Sequence, residues 1–398
     1  PLNYLTAHPA IKHTILTGGT DTAFRLLENN PTCPLSAETG GKNAIIVSAA
    51  ADRDHAIQNI ITSAFSNAGQ KCSACSLLIL EKEVYNDPDF KTKLTDAVTS
   101  LHTGSVWNGG NYVGPMITNK NDKLLHAIDH LEEGEWWLVK PEFVDKKHFM
   151  LKPCVKWGVR PGSYTFTNEL FAPLLSVVCA DNFEHAIALA NSSEYGLTAG
   201  LQSLDESEQK RWKNSIEAGN LYINRGITGA IVSRQPFGGM KRSAFGGGIK
   251  AGGPNYVSCF VNITNNHVDN GSSPIGEFKT YAATFRNEDK KSYESSTASY
   301  QRNFEEEFSV ERDIYHLMGE QNIFRYLPLK NILFRIQPQD ELSDIIKIMT
   351  AANIVNTNLV ISIDNANHHL AALRTFLKPE QIQLHTETEF IDSMHKYE

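Results

Sequence analysis

Between Ile11 and about Tyr256 the chain alternates short apolar runs with stretches of helical periodicity, and that alternation restricts the fold more than any other feature. Strands covered on both faces read as unbroken apolar runs, and strands separated by helical segments pair in parallel. The pattern is therefore that of an α/β domain built on a largely parallel sheet. Buried strands are predicted at His13 to Leu16, Ala44 to Val47, Leu77 to Leu80, Leu174 to Cys179 and Leu221 to Ile223. Between the second and third, Ala56, Ile57, Ile60, Ile61, Ala64 and Phe65 recur at helical spacing after Asp52 and Asp54, either of which can cap a helix start. That helix delivers the segment Asn67 to Ser73 at its C-terminal end. From Gly226 to Pro254 glycine becomes dense, the composition of loops whose backbone must approach something closely.

The pattern changes after Ile263. Asn265 to Ser273 is polar and reads as a linker. Beyond it Tyr293, Thr297, Tyr300, Phe304 and Phe308 mark one face of a helix, with Glu305, Glu306 and Glu307 as its solvated rim. A βαβαβα series follows: strand Ile332 to Ile336, helix Glu341 to Ala352, strand Leu359 to Ile363, helix His368 to Phe376, strand Ile382 to His385 and helix Glu387 to His395. None of its strands is followed by a glycine-rich phosphate turn, so this second, smaller α/β unit gives no sequence reason to hold a nucleotide.

Several function classes drop out on composition. A net charge of −8 leaves no basic surplus to neutralise phosphates, so nucleic acid is not an expected partner. No apolar run approaches the ~18 residues of a membrane-spanning helix, and no signal peptide opens the sequence, which makes the cytoplasm the default location. The six cysteines sit mostly in apolar runs rather than in a dense framework, so reduced thiols are expected. The chain starts at Pro1, and its first strong element runs straight into a glycine turn as though an earlier part of a sheet were missing. It reads as a fragment, and its end at Tyr397-Glu398 as an arbitrary cut.

The sharpest chemical signal is Asn67-Ala68-Gly69-Gln70-Lys71-Cys72-Ser73-Ala74, a cysteine just past a helix and flanked by small residues. A free thiol has a pKa of about 8.5, so a nucleophilic Cys72 needs a base or a local positive potential. Glu38, in Ser36-Ala37-Glu38-Thr39-Gly40-Gly41-Lys42, is the candidate base. Taken singly these residues have plainer readings. Cys72 can be an inert buried thiol, Cys72 and Cys75 a redox pair or half of a zinc site, and Glu38 with Lys42 a surface ion pair.

Glu38-Thr39-Gly40-Gly41-Lys42 followed 34 positions after Glu38 by Cys72 resembles the aldehyde dehydrogenase superfamily. Further motifs of that family stand in order: Thr17-Gly18-Gly19-Thr20, Asn168-Glu169-Leu170-Phe171-Ala172-Pro173, Tyr195-Gly196-Leu197-Thr198 and Gln235-Pro236-Phe237-Gly238-Gly239. The resemblance covers roughly residues 5 to 258. It departs from the family at Ala172, where relatives commonly carry glycine, and at Gly19, where many carry serine. Asn224-Arg225-Gly226-Ile227-Thr228-Gly229-Ala230 and Lys250-Ala251-Gly252-Gly253-Pro254 resemble the glutamate-semialdehyde (1-pyrroline-5-carboxylate) dehydrogenase branch. Met318 to Tyr326, leading into the second unit, resembles the extension of long proline utilization A proteins.

The resemblance implies that Cys72 attacks an aldehyde, that hydride passes to NAD (NADP not excluded), and that water activated by Glu38 hydrolyses the thioester. It implies that Gly18, Gly19, Glu169 and Phe171 meet the cofactor. Ser73, Thr228, Gly229 and Ala230 are expected to anchor the substrate's α-carboxylate and amine, with Phe237 along its aliphatic part. An asparagine that helps bind the oxyanion in the family belongs to a segment preceding Pro1. The expected division is a remnant of the NAD-binding domain at 1–37, the catalytic domain at 38–256, an oligomerisation strand and linker at 257–273, and a C-terminal α/β extension at 274–398. Val257 to Ile263 resembles the strand by which relatives join a neighbouring subunit, which implies a homodimer. FAD belongs to a proline dehydrogenase domain upstream on such proteins. The implied function is oxidation of L-glutamate 5-semialdehyde to glutamate, the second step of proline catabolism, with the isolated fragment inactive. The alternatives are an aldehyde dehydrogenase of other specificity and a non-catalytic structural module.

Overall fold

The computed structural model describes residues 2–118, 121–147, 149–231, 234–247, 250–262, 264, 285–375 and 377–394. The chain divides into two compact units, Pro1–Val261 and Asn262–Glu398.

The first unit is organised by a seven-stranded sheet. In chain order its strands are β3 (Asn43–Val47), β4 (Cys75–Glu81), β5 (Trp136–Val139), β6 (Cys154–Trp157), β7 (Leu174–Ala180), β8 (Thr198–Gln202) and β9 (Asn220–Ile223), arranged β9-β8-β3-β4-β7-β6-β5. Two earlier strands, β1 (Thr14–Thr17) and β2 (Leu35–Glu38), lie in a separate small sheet with β10 (Ala244–Phe245). Every pairing in the large sheet is parallel except β5 with β6 at one edge. The five predicted strands are all present, with ends moved by a residue or two, but the first is not buried: β1 is an edge strand of the small sheet, with Ile15 exposed and Thr14 and Leu16 only partly covered.

Two apolar layers explain why the central strands read as unbroken hydrophobic runs. On β3, Ile45 and Val47 join the core under the helix α1 (Arg53–Phe65), while Ala44 and Ile46 join the core of the opposite face with Phe183 and Trp212. The same alternation sends Leu78 and Leu80 of β4 one way and Leu77 and Ile79 the other. Asp52 caps α1, its carboxylate accepting the Asp54 and His55 N–H groups, both at 3.1 Å; Asp54 itself lies within the first turn.

At the β5–β6 edge the core encloses an ion pair. Lys156 Nζ donates to Glu135 Oε2 at 3.1 Å and to the His130 carbonyl at 2.9 Å, and both side chains are almost wholly buried. Trp137, in β5, lies under the same ammonium at 5.1 Å.

Val257 to Ile263, read from sequence as strand-like, is not a strand where it is described: Tyr256–Phe260 is a 3-10 turn, and Ile263 lies outside the described residues. Its backbone bonds are local. The Tyr256 N–H donates to the Gly253 carbonyl, and the Ser258 N–H and hydroxyl both donate to the Asn255 carbonyl.

The second unit carries a three-stranded parallel sheet of β11 (Asn331–Ile336), β12 (Asn358–Ile363) and β13 (Ile382–Leu384), in that order. Against it pack α2 (Asn287–Asn303) and α3 (Leu342–Ile354), joined by a bond of 3.1 Å between the buried Tyr293 and Thr350 hydroxyls. The helix face predicted from Tyr293 to Phe308 holds only in part. Tyr293 and Thr297 are buried, but after Asn303 the chain widens into a π turn over Phe304–Phe308, which breaks the 3.6-residue register and leaves Phe308 exposed. The predicted helix His368 to Phe376 is reduced to Leu370–Leu373, and the last helix spans Glu387–Ser393. Phe376, His395 and the predicted linker Asn265 to Ser273 lie outside the described residues. Among the described residues no helix is long and apolar enough to cross a membrane.

Removing one member of the buried pair leaves an unpaired charge in the core. Glu135→Ala is expected to lower the unfolding free energy of the first unit by about 3–5 kcal/mol. Urea unfolding followed by the fluorescence of the adjacent Trp136, Trp137 and Trp157 reads this, and Glu135→Ala with Lys156→Met should recover most of the loss.

Candidate active site

The candidate nucleophile is placed by a sharp reversal after α1. Asn67, Ala68 and Gly69 all adopt left-handed backbone, with φ of 54°, 52° and 67°. For Asn67 and Ala68 this conformation costs roughly 1 kcal/mol or more per residue. Local bonds hold it: Asn67 Nδ2 donates to the Gln70 carbonyl and the Gln70 N–H to the Asn67 carbonyl, each at 3.0 Å. Gln70 Oε1 in turn accepts the Ile117 N–H at 3.0 Å. The reversal turns the chain back toward β4 with Cys72 half-buried on the way.

Asn43, the first residue of β3, braces this loop from below. Its side-chain amide donates to the Cys72 carbonyl at 2.7 Å and to the Ala74 carbonyl at 3.0 Å, while its Oδ1 accepts the Thr198 N–H of β8 at 3.0 Å. Sequence reasoning missed Asn43. The signal was present as an asparagine opening an apolar strand directly after the Gly-Gly-Lys turn, a place where a buried amide must find partners.

Glu38 ends β2, whose last residue pairs with Thr17 of β1 on one side and Ala244 of β10 on the other. Its Oε2 accepts the Gly239 N–H at 3.0 Å. Burial raises its carboxyl to about 7, against the opposing effects of that N–H and of the Lys250 ammonium. Burial also raises the Cys72 thiol. The Ser73 N–H and the N–H of Cys72 itself favour the thiolate, but the fields of Glu169 and Glu38 oppose it, and the net direction is up. The thiol form is thus favoured, and two carboxylates lie within its electrostatic reach.

Glu169 is anchored through its Oε1, which accepts the Gly41 N–H at 2.9 Å. Gly40 is required for side-chain clearance: a Cβ there would lie 2.2 Å from Glu169 Oε2. Burial raises the Glu169 carboxyl, with the Gly41 N–H, Lys42 and Lys123 opposing. Lys42 is no surface partner of Glu38. It is buried, donates to the Ser76 carbonyl at 3.4 Å and is lowered to about 8 by burial, against the fields of Cys75 and Glu169. Cys75 is fully enclosed and pushed up to about 12 by burial, an inert thiol.

The structure therefore brings Cys72, Ser73, Glu38 and Glu169 together through β3 and the turn before it. Ser73 is buried, and its carbonyl accepts the Thr198 hydroxyl at 3.4 Å. Gly18 and Gly19 are exposed at the end of β1, where the Gly18 N–H donates to the Glu38 carbonyl at 3.2 Å, and Gly19 precedes the helix Thr20–Asn29. Phe171 is exposed, with a left-handed φ of 52°. Phe237 pairs with Ala251 in a two-residue antiparallel bridge beside Gly238 and Gly239. Thr228 and Ala230 are half-buried and Gly229 exposed. Their loop is tied to α1, which delivers Cys72, by the Ile227 N–H donating to Ser63 Oγ at 3.0 Å.

Comparison with known proteins follows the same residues. The model of the aldehyde dehydrogenase family matches residues 2–266. A 1-pyrroline-5-carboxylate dehydrogenase of Geobacillus kaustophilus is 35% identical over 264 residues, covering 64% of this chain and 50% of that protein. Among solved structures, proline utilization A from Corynebacterium freiburgense has a TM-score of 0.83 at 38% identity, covering 91% of this chain and 38% of that one. A Thermus 1-pyrroline-5-carboxylate dehydrogenase with bound NAD has a TM-score of 0.60 at 31% identity, over 65% of this chain and 51% of that one. The chain spans about half the length of the curated relatives it matches. On the extent of the family match and the order of its elements, the chain belongs to the aldehyde dehydrogenase family.

Proposed function

We propose that this chain carries the thiol chemistry of an enzyme that oxidises L-glutamate 5-semialdehyde to glutamate with NAD. The observation that carries the reading is the pairing of a half-buried thiol, Cys72, with a carboxylate, Glu38, that burial has moved to about 7. A base is most effective when its pKa lies near the working pH, and an ordinary surface glutamate does not meet that condition.

Cys72 Sγ forms a bond to the aldehyde carbon, and the carbonyl oxygen takes up negative charge, for which the Cys72 N–H is the assigned donor. The nicotinamide, when bound, supplies the acceptor for the hydride of that carbon, which leaves a thioester on Cys72. Glu38 then takes a proton from water as the water oxygen attacks the thioester, and the carbon–sulfur bond breaks to release acid and thiol. Glu38 is also a candidate for taking the thiol proton in the first step. Gly18, Gly19, Glu169 and Phe171 are the residues assigned to the cofactor. The clearance at Gly40 beside Glu169 Oε2, and the exposed Phe171, are compatible with that assignment. The names of the relatives and the loop from Thr228 to Ala230 beside α1 support the semialdehyde as substrate, with Ser73 adding a hydroxyl donor and Phe237 an apolar wall.

Three outcomes test the reading. p-Nitrophenyl acetate acylates a reactive thiol without any cofactor, so the 398-residue chain should release a burst of nitrophenol that Cys72→Ala abolishes; a burst surviving in Cys72→Ala would sink the nucleophile. Deacylation should rise with pH through about 7 as Glu38 ionises, and Glu38→Gln should remove that limb and leave the acyl-enzyme stranded. In the longest polypeptide that carries this sequence, NADH formation should favour glutamate semialdehyde over propanal. There Ser73→Ala should raise KM for the semialdehyde about tenfold, the cost of one hydrogen bond to a charged group. A preference for propanal would reject the anchor loop and keep the enzyme class.

A further inference from the structure

Glu38 sits where the neighbouring strands bring no charge: β1 places Thr17 opposite it and β10 places Ala244. Arg242, just before β10, directs its guanidinium to Glu194 at 2.9 Å. Among the described residues, the titratable groups that face the carboxylate are Cys72, from the loop before β4, and Lys250, from the segment after β10.

Lys250 reaches that position by backbone construction. Its segment is clamped by the Phe237–Ala251 bridge, with N–H to carbonyl distances of 2.9 and 3.0 Å. The facing loop is fixed by Asn220, whose Oδ1 accepts the Gly238 N–H at 3.1 Å and whose Nδ2 donates to the Pro236 carbonyl at 3.0 Å. Between them Gly238 lies so close to both groups that a Cβ there would sit 2.7 Å from Glu38 Oε1 and 3.0 Å from Lys250 Cγ. Lys250 Nζ donates to the Gly219 carbonyl, which holds the ammonium in a largely buried position.

We infer that Lys250 is a positioning residue for the base: fixed to Gly219 across Gly238, its ammonium is the counter-charge that lets the buried Glu38 exist as a carboxylate. The inference rests on the reading of Glu38 as the base. Each group opposes the burial of the other. Burial lowers the Lys250 ammonium to about 8 with Glu38 opposing, and raises Glu38 to about 7 with Lys250 opposing. The two groups are charged together in the neutral range; at lower pH Glu38 takes up a proton, and at higher pH Lys250 releases one. Withdrawing the ammonium leaves burial opposed by the Gly239 N–H alone, so the Glu38 midpoint must rise.

The test reads Glu38 directly. The full chain is labelled with 13C at the glutamate side-chain carboxyl, the Glu38 resonance is assigned by its loss in Glu38→Gln, and its pH midpoint is compared in the wild type, Lys250→Met and Lys250→Arg. The midpoint should rise by about one unit in Lys250→Met, whereas Lys250→Arg should keep it near the wild type. Deacylation of the acetyl-enzyme in Lys250→Met should fall about tenfold below the new midpoint and return to the wild-type plateau at high pH. An unmoved midpoint in Lys250→Met, or a loss of deacylation equal at every pH, overturns the inference and makes Lys250 a packing residue. A midpoint that moves while deacylation ignores Glu38 would instead reject Glu38 as base and leave the electrostatic coupling of Lys250 to Glu38 standing.

Discussion

The side-chain amide of Asn43 is the contact on which the site depends. It stands at the head of β3, in the middle of the parallel sheet, and uses both of its ends: the NH2 group holds the carbonyls of Cys72 and Ala74, and the oxygen holds the N–H of Thr198 on β8. One buried residue thus fixes the nucleophile loop to two strands of the sheet. Without such a brace the left-handed run Asn67 to Gly69 would have an easier path, because its conformation carries a backbone cost that only surrounding structure can sustain. Strain at the loop and satisfaction at Asn43 are two sides of one arrangement, which holds a thiol where its chain would not hold it alone.

The same centre arranges the acids. The turn from Glu38 to Lys42 brings β2 into β3, so whatever fixes β3 fixes Glu38 at one end of the turn and, through the Gly41 N–H, Glu169 at the other. Paired glycines in a turn ordinarily supply conformational freedom. In the structure Gly40 serves mainly as empty space, since the Glu169 carboxylate occupies the volume a side chain would need. The inversion is general for close-packed sites: a glycine can be demanded by a neighbour's atoms as easily as by its own backbone angles.

The fold was legible in the sequence wherever a physical signal was local. Continuous apolar runs gave the buried strands because both faces of the sheet are covered, and Asp52 gave a helix start because its carboxylate satisfies two free N–H groups. Legibility failed where the outcome depended on a partner distant in sequence or on a local competitor. The π turn at Phe304 to Phe308 broke a helical face that periodicity had carried through, and the Asn255 carbonyl drew the Ser258 backbone and hydroxyl into a turn where the resemblance to relatives implied a strand. Motif order brought Cys72, Ser73, Glu38 and Glu169 to one place, but Asn43 and Lys250 were not visible as site residues, because their roles consist of contacts 29 and 31 positions away.

Burial is what makes Glu38 interesting and what makes it difficult. A carboxylate in water is ionised at neutral pH and is too weak a base to draw a proton from water; moved into the protein it becomes stronger, but at the expense of the charged form that must do the work. The first unit answers this with limited compensation: one N–H from Gly239 and one nearby ammonium, Lys250, which is itself desolvated. More donors would return the carboxyl to the range of a surface glutamate, and none would leave it protonated. A pKa near 7 is thus a balance between how deeply β2 is covered and how few polar groups the glycine-rich loops let through, and it depends on the spacing of Gly238 and Gly239 as much as on the identity of the acid.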